Sequence, residues 1–385
     1  MTRVRYHNEQ MRKGFKKLVF LLLVFLCVSV CLSPNGTALV ASASSAGSMV
    51  VLESSTQRIL YQKNAYDKRY MASTTKIVTA ITVIENTKPE EMVTVDKAAV
   101  GVEGSSVYLQ AGEQMAVVDL LYGLMHRSGN DAAVALALHT AGSVENFAQL
   151  MNDTAKKIGA HSSHFVNPHG LHSPEHYTTA YDLALIASFA LKNPLFATIV
   201  GSKSHTFLRE GVTHTFYNKN KILSTTEGGD GVKTGFTKKA GRCLVSSATR
   251  GGMQVVCVVL HCGPMFEESK ALLNKAFAEY TLQEILPSYA CVGQAKVRGG
   301  KGDTIRVFSK TPVYYPLRKE EHTEVTRVLQ APNDLSAPIK KHQEVGKIAV
   351  FIHNRLLSEQ PLYSIDSVKS LQMRDMLKDL LEDWF

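Results

Sequence analysis

The chain has 385 residues, of which 45% are hydrophobic and 20% charged, a globular composition with length enough for two domains. Its formal charge is +9, but Arg3, Arg5, Arg12, Lys13, Lys16 and Lys17 face only Glu9 within the first 43 residues, so the remainder is mildly basic. There is no arginine-rich run and no interleaved aromatic pattern, which excludes a nucleic-acid partner as the working expectation.

The basic start leads into an apolar run over residues 18–30, which Pro34 and Gly36 interrupt before the small residues Ala41-Ser42-Ala43. That order is a cleaved secretory signal peptide over residues 1–43, and the apolar run is shorter than the roughly 20 residues needed to span a bilayer. Neither Cys27 nor Cys31 follows a small residue, so no lipid attachment is expected. An exported chain keeps Cys243, Cys257, Cys262 and Cys291; their pairing cannot be read from sequence, and Cys243 and Cys257 are expected as small buried hydrophobes.

Two short β runs, 49–52 and 58–61, read as a hairpin. Next comes Ala72-Ser73-Thr74-Thr75-Lys76, followed by eight mostly apolar residues, so a buried helix is expected from about Ser73. On a helix, residues three apart share one face, which brings Lys76 to the Ser73 hydroxyl. A serine hydroxyl needs an adjacent base to attack, and a lysine serves if burial or a neighbouring cation keeps it neutral.

The region up to about Leu195 is mostly helical, with amphipathic spacing over 145–152 and 181–191. It contains Ser128-Gly129-Asn130 after an apolar helical run and an irregular stretch over 162–177. His161, His164, His169, His172 and His176 are irregularly spaced in loop-like sequence, and neither metal nor cofactor is expected.

Beyond residue 205 the pattern turns to β. Lys233-Thr234-Gly235-Phe236 leads it, and the runs 241–248 and 253–260 follow as an antiparallel pair turning at Arg250-Gly251-Gly252. Residues 266–280 have helical spacing. The first domain, residues 44–286, is therefore α+β, with helices on an antiparallel sheet, and Ser73, Ser128 and Lys233 meet where the helices abut the sheet. A break at Leu286-Pro287-Ser288 opens a small all-β domain over 287–366, and residues 367–385 read as an amphipathic C-terminal helix.

Ser-x-x-Lys, Ser-Asp-Asn and Lys-Thr-Gly together mark class A β-lactamases and penicillin-binding proteins, and here all three occur in order, the middle one as Ser-Gly-Asn. With Asn167-Pro168-His169-Gly170-Leu171 and Asp230 to Thr237, the chain resembles the low-molecular-mass penicillin-binding proteins that are D-alanyl-D-alanine carboxypeptidases. The resemblance implies a penicillin-binding fold with a β-rich second domain, and an exported, membrane-associated enzyme that removes the terminal D-alanine of peptidoglycan stem pentapeptides. It implies Ser73 as nucleophile, Lys76 as base and Ser128 as proton relay. Asn130, Lys233, Thr234, Gly235 and Phe236 would bind substrate, the Phe236 N–H sharing an oxyanion site with the Ser73 N–H. β-Lactams would be covalent inhibitors, and the C-terminal helix would lie on the membrane surface. The stretch 262–268 lacks an arginine that relatives often carry for the substrate carboxylate, so either Arg242 or Lys233 takes that task or substrate affinity is reduced. Two other readings remain: a serine β-lactamase, although residues 167–171 lack the glutamate that class A enzymes use, and a non-catalytic wall-binding protein on the same fold.

Overall fold

A computed structural model describes Leu39–Val40, residues 44–332 and residues 335–374. The expected leader, apart from Leu39–Val40, and residues 375–385 of the expected C-terminal helix lie outside the described residues.

A six-stranded sheet carries the first half of the architecture, in the order Leu39–Val40, Ile59–Lys63, Ser48–Glu53, Met253–Leu260, Gly241–Arg250 and Gly229–Thr237. The strand Met253–Leu260 is apolar at nearly every position because both of its faces are covered. Successive side chains of a strand point to opposite faces. Val256, Val258 and Leu260 therefore join the large helical core, while Val255, Cys257 and Val259 pack on the helix Met265–Glu279 through Leu272, Leu273 and Ala276. Each such aliphatic side chain, fully buried, contributes about 1.5–3 kcal/mol. The turn of this hairpin falls at Gly251 and Gly252, both at positive φ, as the sequence predicts. Cys243 and Cys257 are free and buried.

On the other side of the sheet lies a helical cluster of Lys76–Asn86, Asn130–Ala141, Val144–Ile158 and Ala180–Leu191, in which Ala180–Leu191 packs on the sheet and Asn130–Ala141 and Val144–Ile158 pack on Lys76–Asn86. Lys76–Asn86 is the central helix, with every residue from Lys76 to Val83 buried. Its entry differs from the expected helix start at Ser73: residues Ala72–Thr75 form a tighter 3-10 turn, and the α-helix begins at Lys76. Within the stretch expected to be helical, Met92–Thr94 and Gln114–Ala116 pair as two short antiparallel strands. A second hairpin, Ser204–Arg209 with Val212–Tyr217, follows the helix Pro194–Gly201.

The C-terminal part is all-β, as expected. A five-stranded sheet runs Cys291–Lys296, Thr304–Phe308, Arg355–Ser364, Glu344–Ile352 and Val325–Gln330, over its own core of Ile305, Val307, Ile348, Val350 and Leu362. Strand Thr281–Leu286 already pairs with Val313–Leu317, so β pairing with this part begins ahead of the Leu286-Pro287-Ser288 break. The expected helix does not begin at residue 367. Val368 bridges Ile339 and Ser370 bridges Gly300, both in extended backbone, and helical conformation appears first at Met373. Isolated bridges of this kind have no repeating pattern that a sequence could display.

Candidate active site

The Ser73–Lys76 turn is closed by its own threonines. The Thr74 hydroxyl donates to the Met71 carbonyl (2.7 Å) and the Thr75 hydroxyl to the Ala72 carbonyl (2.8 Å). The edge strand Gly229–Thr237 runs directly against this turn. A Cβ on Gly235 would stand 3.0 Å from Met71 O, Ser73 N and Thr74 N, so only glycine lets the two backbones approach so closely.

Lys76 is fully buried, and its Nζ donates to three acceptors: Ser73 Oγ at 3.1 Å, Asn130 Oδ1 at 2.7 Å and the His169 carbonyl at 2.7 Å. An ammonium has three hydrogens for three acceptors. A neutral amine has two, which the shorter contacts to Asn130 and His169 take, and its lone pair is then left for the Ser73 hydroxyl. Burial, and after it the nearby Lys233 ammonium, holds Lys76 well below the ordinary lysine value, with Asp131 pulling the other way. Burial and then Lys219 push Lys233 down to about 7. Its Nζ donates to the Thr234 carbonyl (3.0 Å).

Ser128 is buried in the left-handed conformation (φ +65°) at the turn that delivers Asn130 to the start of its helix. The Asn130 amide is oriented by its second contact, Nδ2 donating to the Glu103 carbonyl, which leaves Oδ1 for Lys76. Asp131, also buried, accepts from Ser106 Oγ and the backbone N–H groups of Val107 and Leu109, and so pins the loop that supplies Glu103. Thr234 is half-buried and Phe236 is 65% exposed. Arg242 is exposed opposite Phe236, whereas Lys233 is buried beside Lys76, so of the two candidates for a carboxylate contact Lys233 is the one within the cluster.

Sequence reasoning did not single out the His169 carbonyl, the Glu103 carbonyl or Asp131. The first two are backbone atoms, for which side-chain identity carries no signal; the aspartate stands beside a quoted motif and was the one that could have been found. Among the described residues no group of three or more His, Cys, Asp or Glu is placed to hold an ion. Residues 167–171 contain no glutamate and instead present carbonyls, His169 to Lys76 and Pro168 to Thr79.

A buried amine set against a serine hydroxyl, beside an edge strand carrying a second buried lysine, defines a serine acyl-transfer enzyme of the penicillin-binding type. A family profile described as D-alanyl-D-alanine carboxypeptidase matches residues 35–263, and one described as penicillin-binding protein 5, C-terminal domain, matches residues 280–370. The D-alanyl-D-alanine carboxypeptidase DacF of Bacillus subtilis is 33% identical over 350 residues, 88% of this chain and 90% of the relative. DacD of Escherichia coli is 33% identical over 352 residues, covering 87% and 89%. The crystal structure of penicillin binding protein 5 from Haemophilus influenzae superposes with a TM-score of 0.70 at 28% identity, over 86% of this chain and all of that one.

The chain belongs to the D-alanyl-D-alanine carboxypeptidase family. It is a serine-type D-Ala-D-Ala carboxypeptidase, a penicillin-binding hydrolase of the cell wall, with the penicillin-binding fold followed by an all-β part.

Proposed function

We propose that Ser73 is the residue acylated in this reaction and that Lys76 is the base that activates it. The carrying observation is the Lys76 Nζ, whose two short acceptors occupy the hydrogens of a neutral amine and leave its lone pair toward Ser73 Oγ at 3.1 Å. Ser73 Oγ bonds to the carbonyl carbon of the penultimate D-alanine while its proton passes to Lys76 Nζ. The C–N bond then breaks, and Ser128 relays a proton to the amine of the departing D-alanine. Water hydrolyses the resulting ester and regenerates the serine. The N–H groups of Ser73 and Phe236 stabilise the developing oxyanion, Phe236 from the strand that Gly235 lets lie against the turn. Lys233, with the Thr234 hydroxyl, holds the terminal carboxylate of the stem peptide, and a β-lactam presents its own carbonyl and carboxylate to the same groups.

The enzyme works outside the cytoplasm in the cell envelope. Residues 1–43 serve as the export signal, the chain divides into penicillin-binding and β-rich domains in the 280–287 region, and the C-terminal helix rests on the membrane surface. Its apolar positions 373, 376, 377, 380, 381 and 384 support that placement. Incubation with a labelled penicillin followed by peptide mapping tests the central assignment. The adduct is expected on the Ser73 peptide, and Ser73→Ala is expected to abolish both labelling and D-alanine release. An adduct on any other residue would overturn it.

A further inference from the structure

The nucleophile candidate follows a residue in a disfavoured conformation. Ala72 has φ +50°, in the left-handed region that side chains with a Cβ rarely adopt. Something must hold it there. Gly170, itself at φ +87°, is packed so closely over the Ala72 carbonyl that a Cβ at that glycine would stand 2.0 Å from the oxygen. The Thr75 hydroxyl donates to the same oxygen. Thr75 Oγ1 in turn lies 2.8 Å from Nε2 of His176, which is 2% exposed and edge-on to Phe165.

The direction of every hydrogen in this chain is determined. The Val166 backbone N–H can only donate, and it reaches His176 Nδ1 at 3.1 Å. Nδ1 therefore carries no hydrogen, and the neutral ring has its hydrogen on Nε2. Nε2–H donates to Thr75 Oγ1, which spends its own hydrogen on Ala72 O. A peptide unit is planar and trans, so its C=O and its N–H point in opposite directions. Fixing the Ala72 carbonyl on one side thus aims the Ser73 N–H to the other side, where Gly235 of the edge strand packs.

We propose that His176 and Thr75 are positioning residues whose hydrogen-bond chain anchors the Ala72 carbonyl and thereby aims the Ser73 N–H and hydroxyl for acylation. The proposal rests on Ser73 being the nucleophile. Neither residue exchanges a proton with substrate. Burial, and then His169, pushes His176 down to about 3, so the chain keeps one protonation pattern across the range in which the enzyme is assayed. A protonated ring would turn a second N–H onto the Val166 N–H.

The test separates the acylation rate constant from the prior binding constant for a fluorescent penicillin, with thermal midpoints measured alongside. Thr75→Val keeps shape and removes the hydroxyl; it is expected to slow acylation about ten- to hundredfold with binding changed less than threefold, since the Ser73 N–H that the chain aims is a donor used in the transition state. Thr75→Ser restores the hydroxyl and is expected within about threefold of the parent. His176→Asn is expected to slow acylation similarly, and His176→Gln, whose amide reaches the Nε2 position, to recover most of it. Because both substitutions break one chain, the double variant Thr75→Val with His176→Asn is expected to be no more than about twofold slower than the worse single variant. The pH profile of each variant keeps the parent's shape.

Folded variants with lowered thermal midpoints and unchanged acylation would show a structural role only and overturn the proposal. Equal losses in Thr75→Ser and Thr75→Val would overturn it too, as would multiplicative losses in the double variant. If Thr75→Val does not fold, the contrast between His176→Asn and His176→Gln decides the same question. Peptide mapping on the parent enzyme keeps the two ideas apart: label elsewhere than Ser73 refutes the nucleophile and the proposal with it, while label on Ser73 with unaltered rates in the variants refutes the positioning chain alone.

Discussion

Replacing Asn130 by aspartate changes one atom type and almost no volume, and it puts a carboxylate where Lys76 Nζ now meets an amide oxygen at 2.7 Å. An opposite charge at that range strengthens a lysine's hold on its proton by roughly ten- to thousandfold. Lys76 acts as a base only when neutral, and its neutral state rests on burial and on Lys233. With Lys76 as the proposed base, acylation in the parent is expected to fall as pH drops through the depressed Lys76 value, because protonation removes the base. In Asn130→Asp that acid limb moves to higher pH. On the acid limb the expected result is acylation about ten- to thousandfold slower than the parent at the same pH, with the loss vanishing once the pH is raised past the displaced limb. Rates of acylation by a fluorescent penicillin between pH 5 and 10 measure this. The substitution also removes the donor to the Glu103 carbonyl, an effect without pH dependence. A loss of constant size across the whole pH range would therefore refute the reasoning, since it would mean that Asn130 positions the loop or the substrate and leaves the Lys76 charge alone.

Two further substitutions probe the lysines. Lys76→Arg keeps the charge but cannot release a proton, and acylation is expected to fall by a factor on the order of 10³ or more; a rate near that of the parent means another base operates. If Lys233 holds the substrate carboxylate, as proposed, it does so only when charged, and with its value pushed down to about 7 acylation is expected to decline as pH rises above neutrality. Lys219→Met removes the charge that, after burial, depresses Lys233, so this basic limb is expected to move to higher pH and the rate at pH 8 to rise about two- to fivefold; a limb that stays or moves down refutes the pairing.

The grouping of Ser73 with Lys76 was legible because residues three apart share one face of a turn, and Asn130 and Lys233 were legible through two further motifs standing in order along the chain. What completes the site was not. Lys76 is held by the His169 carbonyl, and Asn130 is turned by the Glu103 carbonyl; any residue supplies a carbonyl, so only the path of the chain reveals them. His176 read as a loop histidine because its partners, Thr75 and Val166, are 101 and 10 residues away. The fold shows the same division. The strands 241–250 and 253–260 stand out through β-branched runs and a glycine turn, whereas the three-residue strands Met92–Thr94 and Gln114–Ala116 are too short to show a period. The helix expected over 266–280 spans Met265–Glu279, and the chain then enters the strand Thr281–Leu286, which pairs with Val313–Leu317 far along the sequence.

Where the chain is cut decides what a C-terminal truncation reports. The Val368 N–H donates to the Ile339 carbonyl and the Ile339 N–H to the Val368 carbonyl, while Leu371 N–H reaches Gly299 and Lys301 N–H reaches the Lys369 carbonyl. Val368 also packs on the core of the five-stranded part. Net contributions of about 0.5–1.5 kcal/mol for each hydrogen bond make this strap worth a few kcal/mol to a small β domain. Deletion from residue 368 is therefore expected to lower the melting temperature of that domain, and any loss of membrane association it caused would be ambiguous. Deletion of residues 375–385 leaves the strap in place. With it, the melting temperature and penicillin labelling are expected to match the intact enzyme, while the mature protein moves from the membrane fraction to the soluble one. If the shorter deletion leaves the protein on the membrane as fully as before, the C-terminal helix is not the anchor, because every described contact of the β domain is still present in that variant.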